Sequence, residues 1–235
     1  VETDDAFLPI KSGDLIRVFP VLNKMDSVVL LEGNTLTPGG YQWRPGMRVS
    51  ELIDDLSTLR QSTDFSVANI QRENATTKRV EAKYFSLDAA LRAPGGEDDP
   101  VLEPRDRVVI FDVAGKRSAQ LGALLQKIKM QTSGSDLPAF FTLRGAVKHG
   151  GDFPLAAGQS LLDVIRLGGG INKGVDRNYT LIVRTDAATN EIEFIGVSLA
   201  VALQSPSGDH NPRIHPRDRI YLFESESDRS SLISA

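Results

Sequence analysis

The chain contains no cysteine, which removes disulfides and thiolate metal sites from its chemistry. It has no long apolar run either. Its longest stretches fall far short of the ~18 residues that a membrane-spanning helix needs. No basic stripe is present: 27 basic and 31 acidic residues are scattered together, for a net charge of -4. Such a surface is not built to neutralise a phosphate backbone, so nucleic acid is not an expected partner. The opening residues, with the acidic Glu2, Asp4 and Asp5, carry neither the basic nor the apolar region of a signal peptide. A start without Met suggests processing or trimming, so targeting signals are expected to lie outside this sequence.

The composition that remains is globular. Apolar residues make up 40% and charged residues 25%, near the averages for folded soluble domains. A chain of 235 residues accommodates two domains of roughly 100 residues, each large enough to bury its own core.

The dominant feature is an internal repeat. Val28-Val-Leu-Leu-Glu-Gly33 stands 112 residues before Phe140-Phe-Thr-Leu-Arg-Gly145. At the same offset Gly39 meets Gly151, Tyr41 meets Phe153, Gly46 meets Gly158, Ile70 meets Ile182 and Arg72 meets Arg184. Pro104-Arg-Asp-Arg107 meets Pro216-Arg-Asp-Arg219, and Phe111 meets Phe223. No net insertion interrupts the register, so the chain reads as two copies of one domain. A third, partial copy opens it, since Leu8 to Phe19 echoes Leu102 to Phe111. This predicts an upstream unit ending within residues 1–27, units at 28–112 and 140–224, a linker at 113–139, and a loose polar tail at 225–235.

Within one unit, Val28 to Leu31 reads as a buried strand stopped at Gly33. Pro38-Gly39-Gly40 signals a turn, and Tyr41 to Trp43 a returning strand. Val49, Leu52, Ile53 and Leu56 fall at helical spacing behind Ser50 as a cap, matched in the second unit by Leu161 to Leu167 with Gly168-Gly-Gly170 as a helix stop. Strands are predicted at Val67 to Arg72, Val80 to Phe85 and Arg107 to Phe111, with a short helix at Leu87 to Leu91. The counterparts are Tyr179 to Arg184, Ile192 to Val197, Arg219 to Phe223 and Leu199 to Leu203. Between the units, Lys116 to Gln131 predicts one amphipathic helix carrying Leu121, Leu124, Leu125 and Ile128. It is either a connector packed on a domain or an interface helix between subunits. The order of hairpin, helix, hairpin, short helix and strand gives an α+β class: a small mixed sheet crossed by a helix, the β-grasp plan.

Three segments carry a resemblance: Val29 to Tyr41, Pro45 to Ile53 and Leu102 to Phe111. Together they resemble the SLBB (soluble-ligand-binding β-grasp) domains of outer-membrane polysaccharide export proteins. Leu36 departs from that pattern, and in the second unit Gly150 and Phe153 replace its Pro and Tyr. The resemblance spans Leu8 to Phe223 and implies two tandem β-grasp (SLBB) domains joined by an amphipathic helix. It further implies a non-enzymatic role in the periplasm, associated with the outer membrane through parts outside this chain. The units would form stacked layers of a homo-oligomeric ring around the path of a polysaccharide. An inner-membrane polysaccharide co-polymerase is a further implied partner, and no cofactor is implied. SLBB domains also serve in small-ligand binding, which keeps open a ligand- or glycan-binding module without a transport role.

Candidate sites are few. Tyr41 and Trp43 offer faces that suit sugar rings, although a hairpin position suits core or edge packing equally. Arg72 and Arg184 recur at strand ends, as an ion pair or a ring-interface contact. Asp14, Asp106 and Asp218 recur before the last strand, where an Asp bonding nearby backbone N–H groups is expected. His210 and His215 lack further convergent ligands for a metal and read as surface loop residues. Glu97-Asp98-Asp99 lacks the ligand spacing of a calcium loop and reads as solvated. Lys173 after the glycine run is followed by Gly174, not by the hydroxyl residue of a phosphate loop. No nucleophile elbow or Ser-His-Asp order is present. Carboxylates are abundant enough to leave a glycosidase pair open on sequence alone, with no positive signal for one.

Overall fold

The computed structural model describes residues 27–132, 137–186 and 189–225. The predicted upstream strand at Leu8 to Phe19 and the tail beyond Ser225 therefore lie outside the described residues.

The first unit runs β1 (Val28–Gly33), β2 (Gly39–Gln42), α1 (Val49–Leu52), β3 (Thr63–Glu73), β4 (Val80–Phe85), α2 (Leu87–Arg92) and β5 (Arg107–Asp112). A connector follows, with α3 (Arg117–Gln120) and α4 (Gly122–Met130). The second unit repeats the plan as β6 (Phe140–Gly145), β7 (Gly151–Pro154), α5 (Leu161–Leu167), β8 (Val175–Thr185), β9 (Ile192–Val197), α6 (Leu199–Gln204) and β10 (Arg219–Glu224). The class is α+β. Each unit is a five-stranded mixed sheet, in the order β2-β1-β5-β3-β4 and β7-β6-β10-β8-β9. The central pairs β1–β5 and β6–β10 are parallel, and the other neighbours are antiparallel.

The repeated glycine at the end of the first strand has a steric cause. Gly33 and Gly145 both sit at φ +91, and a Cβ there would run into the carbonyl oxygens of Ile110 and Leu222. Only glycine takes that backbone and lets the central strands approach so closely. Arg105 and Arg217 hold a second repeated left-handed position, at φ 73 and 69. There the chain turns so that Arg105 N donates to Val28 O at 2.7 Å and Arg217 N to Phe140 O at 2.6 Å.

The two sheet faces have different covers. In β5, Val108 and Ile110 pack with Val49, Leu52 and Leu87 in the first unit's own core. Val109 and Phe111 point the opposite way, into a cluster with Leu121, Leu124 and Ile128 of the connector and the core of the second unit. In the second unit Ile220 and Leu222 join that inner core. Tyr221 and Phe223, with Leu181 and Val183, form a separate buried cluster on the opposite face. Burying one such large side chain contributes roughly 1.5–3 kcal/mol.

Three sequence expectations need correction. The helix after Pro45-Gly46 is a single turn, with Leu56 59% exposed and part of a following 3-10 turn. Ser50 is not its cap: Arg48 is, with its N–H bonded to Glu51 Oε1 at 3.2 Å, while Ser50 N donates to the Asp99 carboxylate at 3.1 Å. In α5, by contrast, Ser160 and Asp163 form a reciprocal capping box, and the helix runs on until Gly168 ends it. Asp55 accepts from Ser57 N at 2.8 Å, and this local bond favours the 3-10 turn over a second helical turn. Second, the connector is two helices, broken at Leu121 before Gly122. Third, Gly39 and Gly40 lie within β2, in register with Leu31 and Leu30, and are not the turn itself.

Candidate functional site

The junction of the two units holds a fully buried arginine and its carboxylate partner. It begins with Asp64 in β3. Its Oδ1 accepts from Ser66 N at 2.8 Å, which leaves Oδ2 directed at the connector. There it meets the guanidinium of Arg117, the first residue of α3, in a buried ion pair. Arg117 is fully buried. Its Nη1 donates to the carbonyls of Arg166 at 3.1 Å and Leu167 at 2.7 Å, at the C-terminal end of α5. Its guanidinium carbon lies 5.5 Å from the centre of the Phe111 ring. One side chain thus ties together β3, β5 and α5. The cation sits where helix carbonyls and a ring face both favour positive charge. Burial pulls the Arg117 pKa down to about 10, so it remains a cation at neutral pH.

His149 borders this group, with Nε2 3.1 Å from the Val113 carbonyl. That contact assigns the proton to Nε2. Partial burial and then the neighbouring charge of Arg117 lower its pKa from the ordinary value.

The connector helix α4 fills the rest of the junction. Lys129 Nζ bonds Asp152 Oδ2 at 3.0 Å and lies 4.3 Å from the Phe140 ring centre. On the opposite side, Gln131 clasps Val80: its Nε2 donates to Val80 O at 2.7 Å and its Oε1 accepts from Val80 N at 2.8 Å. A side-chain amide thereby caps backbone groups on the outer edge strand of the first sheet. Tyr84 OH donates to Pro154 O at 3.0 Å, across to the second unit. Beside it a groove of about 250 Å³ opens between the units, lined by Ser66, Tyr84, Ser86, Gln159, Asp163 and Arg166. A more apolar cavity of about 380 Å³, with Leu162, Ile165, Leu199 and Leu203, shares Ser66 and Arg166 with it.

The residues singled out in the sequence lie elsewhere. Tyr41 OH is held by Thr37 O at 2.7 Å, and Trp43 Nε1 by Leu102 O at 2.8 Å. Both rings pack half-buried against the first unit's core, so they are packing residues of the β2 edge. Arg72 Nε donates to Asp106 Oδ1 at 2.9 Å and Nη2 to Asp106 Oδ2 at 2.6 Å. Arg184 makes the same pair with Asp218, at 3.0 and 2.8 Å. The same aspartates accept from the N–H groups of Glu103 and His215, each at 2.8 Å. The two recurring residue types therefore form one structural clip per unit, which ties the end of β3 or β8 to the turn before the last strand. Asp14 lies outside the described residues.

Asp99 overturns the expectation of a solvated loop. It is buried, and its carboxylate accepts from Ser50 N, Ser50 Oγ and Gly95 N at 3.1, 2.6 and 2.9 Å. Asn211 occupies its place in the second unit and accepts from Leu162 N at 2.9 Å. His210 Nδ1 accepts from Ser198 N at 2.9 Å, just before α6.

The sequence reading missed Asp64 and gave Arg117 no role. A signal was present: the repeat pairs Asp64 with Asp176 and, past Phe111, Arg117-Ser118 with Arg229-Ser230. No protein-family model matches the chain, and no curated protein matches it.

Proposed function

We propose that residues 28–112 and 140–224 are tandem SLBB-type β-grasp domains, and that the chain is a non-enzymatic, periplasmic part of a polysaccharide export translocon. In this reading the domains form stacked layers of a homo-oligomeric ring around the polymer path. The outer membrane is reached through parts outside this chain, and an inner-membrane co-polymerase meets the other side. Polysaccharide is the cargo and not a substrate.

The observation that carries the reading is the pair of matching sheets, with one strand order and a central parallel pair, coupled through a buried junction. A hairpin, a crossing helix, a second hairpin and a last strand inserted beside the first is the order that the resemblance implies. The residues of the resembling segments also have architectural work: Gly33 lets β5 approach, and Pro104-Arg105-Asp106 sets the turn and clip. Arg72, Arg184 and Arg117 are each paired to a carboxylate within the scaffold, which suits a structural role more than a reacting site. No helix among the described residues is long and apolar enough to cross a membrane.

The test is surface polysaccharide in a strain deleted for the full-length gene, with intracellular and periplasmic polymer measured alongside. Loss from the surface, restored by the intact gene but not by one lacking residues 28–224, is the expected result. Unchanged surface polymer in a strain without a second exporter overturns it.

The groove beside Tyr84 favours a second reading, a small-ligand or glycan-binding module. Titration with cobalamin and with acidic oligosaccharides, followed by NMR shifts of Ser66, Tyr84 and Gln159, decides it. Silence at millimolar ligand removes it for those ligands.

A further inference from the structure

We propose that the second unit carries a carboxylate-binding site on the outer face of β6 and β10, formed by Arg144, Arg217 and Arg219, and that its ligand is an acidic glycan. The site rests on a difference between the two repeats. The choice of a sugar to carry the carboxylates rests on the export reading.

The first unit shows the corresponding place filled from within. Arg105 and Arg107 open on a groove of about 160 Å³ with Val28, Leu30 and Glu73. Arg107 Nη1 donates to Glu32 Oε1 at 2.8 Å and to Oε2 at 3.0 Å. Arg105 Nη2 lies 3.5 Å from Glu73 Oε1. Two of the chain's own carboxylates thus neutralise two arginines on this face of the sheet.

The second unit keeps the arginines and lacks those acids. Arg217 and Arg219 stand 112 residues after Arg105 and Arg107, and at the same offset Glu32 is replaced by Arg144 and Glu73 by Thr185. Arg217 and Arg219 are exposed and Arg144 is half-buried. None of the three has a carboxylate partner among the described residues. The acid next to them in register, Asp152 beside Thr142, is already bonded to Lys129 Nζ at 3.0 Å and to Thr142 Oγ1 at 2.8 Å. An ion pair across neighbouring strands is therefore replaced by two like charges, which is unfavourable until an anion joins them. Arg217 also holds φ 69, a left-handed backbone that glycine or asparagine adopts with less strain.

The three arginines form a row. Arg217 N bonds Phe140 O, and Arg219 is in register with Thr142. Arg144 comes two residues further along β6 and shares the face of Thr142, since Phe141 and Leu143 between them are buried in the inner core. Each step of two residues spans roughly 6.6 Å. Such a row suits an extended chain with carboxylates at intervals better than one small anion. Guanidinium groups match carboxylates with two parallel bonds, and a chain of uronic acids presents carboxylates in that way.

The probe is tetragalacturonate, titrated into the whole 235-residue chain and followed by NMR shifts. Shifts are expected at Arg144, Arg217 and Arg219 and not at Arg105 and Arg107, and they should weaken as salt is raised. Maltotetraose, the neutral control, should cause none. Arg144→Glu restores the residue that the first unit holds at this place, and should raise the dissociation constant about tenfold. Glu32→Arg together with Glu73→Thr should open the first unit's site and add shifts at Arg105 and Arg107. Silence at Arg144 and Arg219 in millimolar tetragalacturonate overturns the proposal, and so does an unchanged dissociation constant in Arg144→Glu. Tighter binding of tetraglutamate than of tetragalacturonate overturns the glycan assignment in favour of an acidic protein segment. The export reading is judged separately: a deletion strain that loses its surface polymer, while the purified chain ignores tetragalacturonate, sinks this inference alone.

Discussion

Asp64 and Arg117 are separated by 53 residues and by the boundary between a sheet and the connector, yet they meet as a buried ion pair. Neither has a polar alternative in solvent, and each satisfies further backbone groups. Removing one partner of such a pair leaves an uncompensated buried charge. Asp64→Ala is therefore expected to cost about 3–5 kcal/mol. Urea denaturation of the variant, with Arg117→Met and the double change completing a cycle, measures the coupling. An Asp64→Ala loss below 1 kcal/mol would show the junction to be held by its apolar contacts alone.

Gly33→Ala and Gly145→Ala are each expected to destabilise by about 2 kcal/mol or more, because the new Cβ meets a carbonyl oxygen at a left-handed backbone position. Gly46→Ala is the control. Gly46 has φ +83 with no atom within 4 Å of a Cβ, so it carries the backbone strain without the collision and should lose less. Denaturation midpoints of the three variants test the ordering.

Arg184→Lys is expected to destabilise by about 1–3 kcal/mol. An ammonium cannot reproduce the two-pronged contact with Asp218, and that carboxylate is fully buried. Arg72→Lys should behave similarly. Equal stability of either variant with the parent would mean that the clip is not a determinant of the last turn.

His149 gives the junction a pH dependence of defined sign. Its native pKa is lowered by partial burial and by Arg117, so the unfolded chain takes up the proton first. Stability is full above the unfolded value of about 6.5 and falls as the pH drops through it toward the lower native pKa. His149→Asn should flatten that part of the profile. An NMR titration of the His149 ring and denaturation curves at either end of the window check the direction.

Much of this architecture is legible in the sequence because the repeat prints each element twice. Strands Val80–Phe85 and Ile192–Val197 match their expected limits, since turn residues bound both. Val108-Val-Ile-Phe111 shows no alternation, which marks a strand covered on both faces. Periodicity cannot say what the second cover is. The run Val49 to Leu56 has helical spacing, but it cannot show that Asp55 will bind its own backbone and end the helix early. The junction was least legible. An ion pair between Asp64 and Arg117 has no local pattern, and the buried Asp99 sits among residues that look solvated. Its partner Ser50 is 49 residues away.

The joint between the two units has a direction. The first unit contributes the outer face of β3, β4 and β5, and the second contributes the end of α5 and the strand β7. Two different surfaces meet, so the contact is not its own mate, as a two-fold contact would be. In the second unit the counterpart of the joining face is buried at Leu181, Val183, Tyr221 and Phe223. A series of such joints closes into a ring or runs on according to the rotation between one unit and the next. Where the series runs on, its length is set by something other than the joint, such as the number of units encoded or a terminal unit with one surface altered.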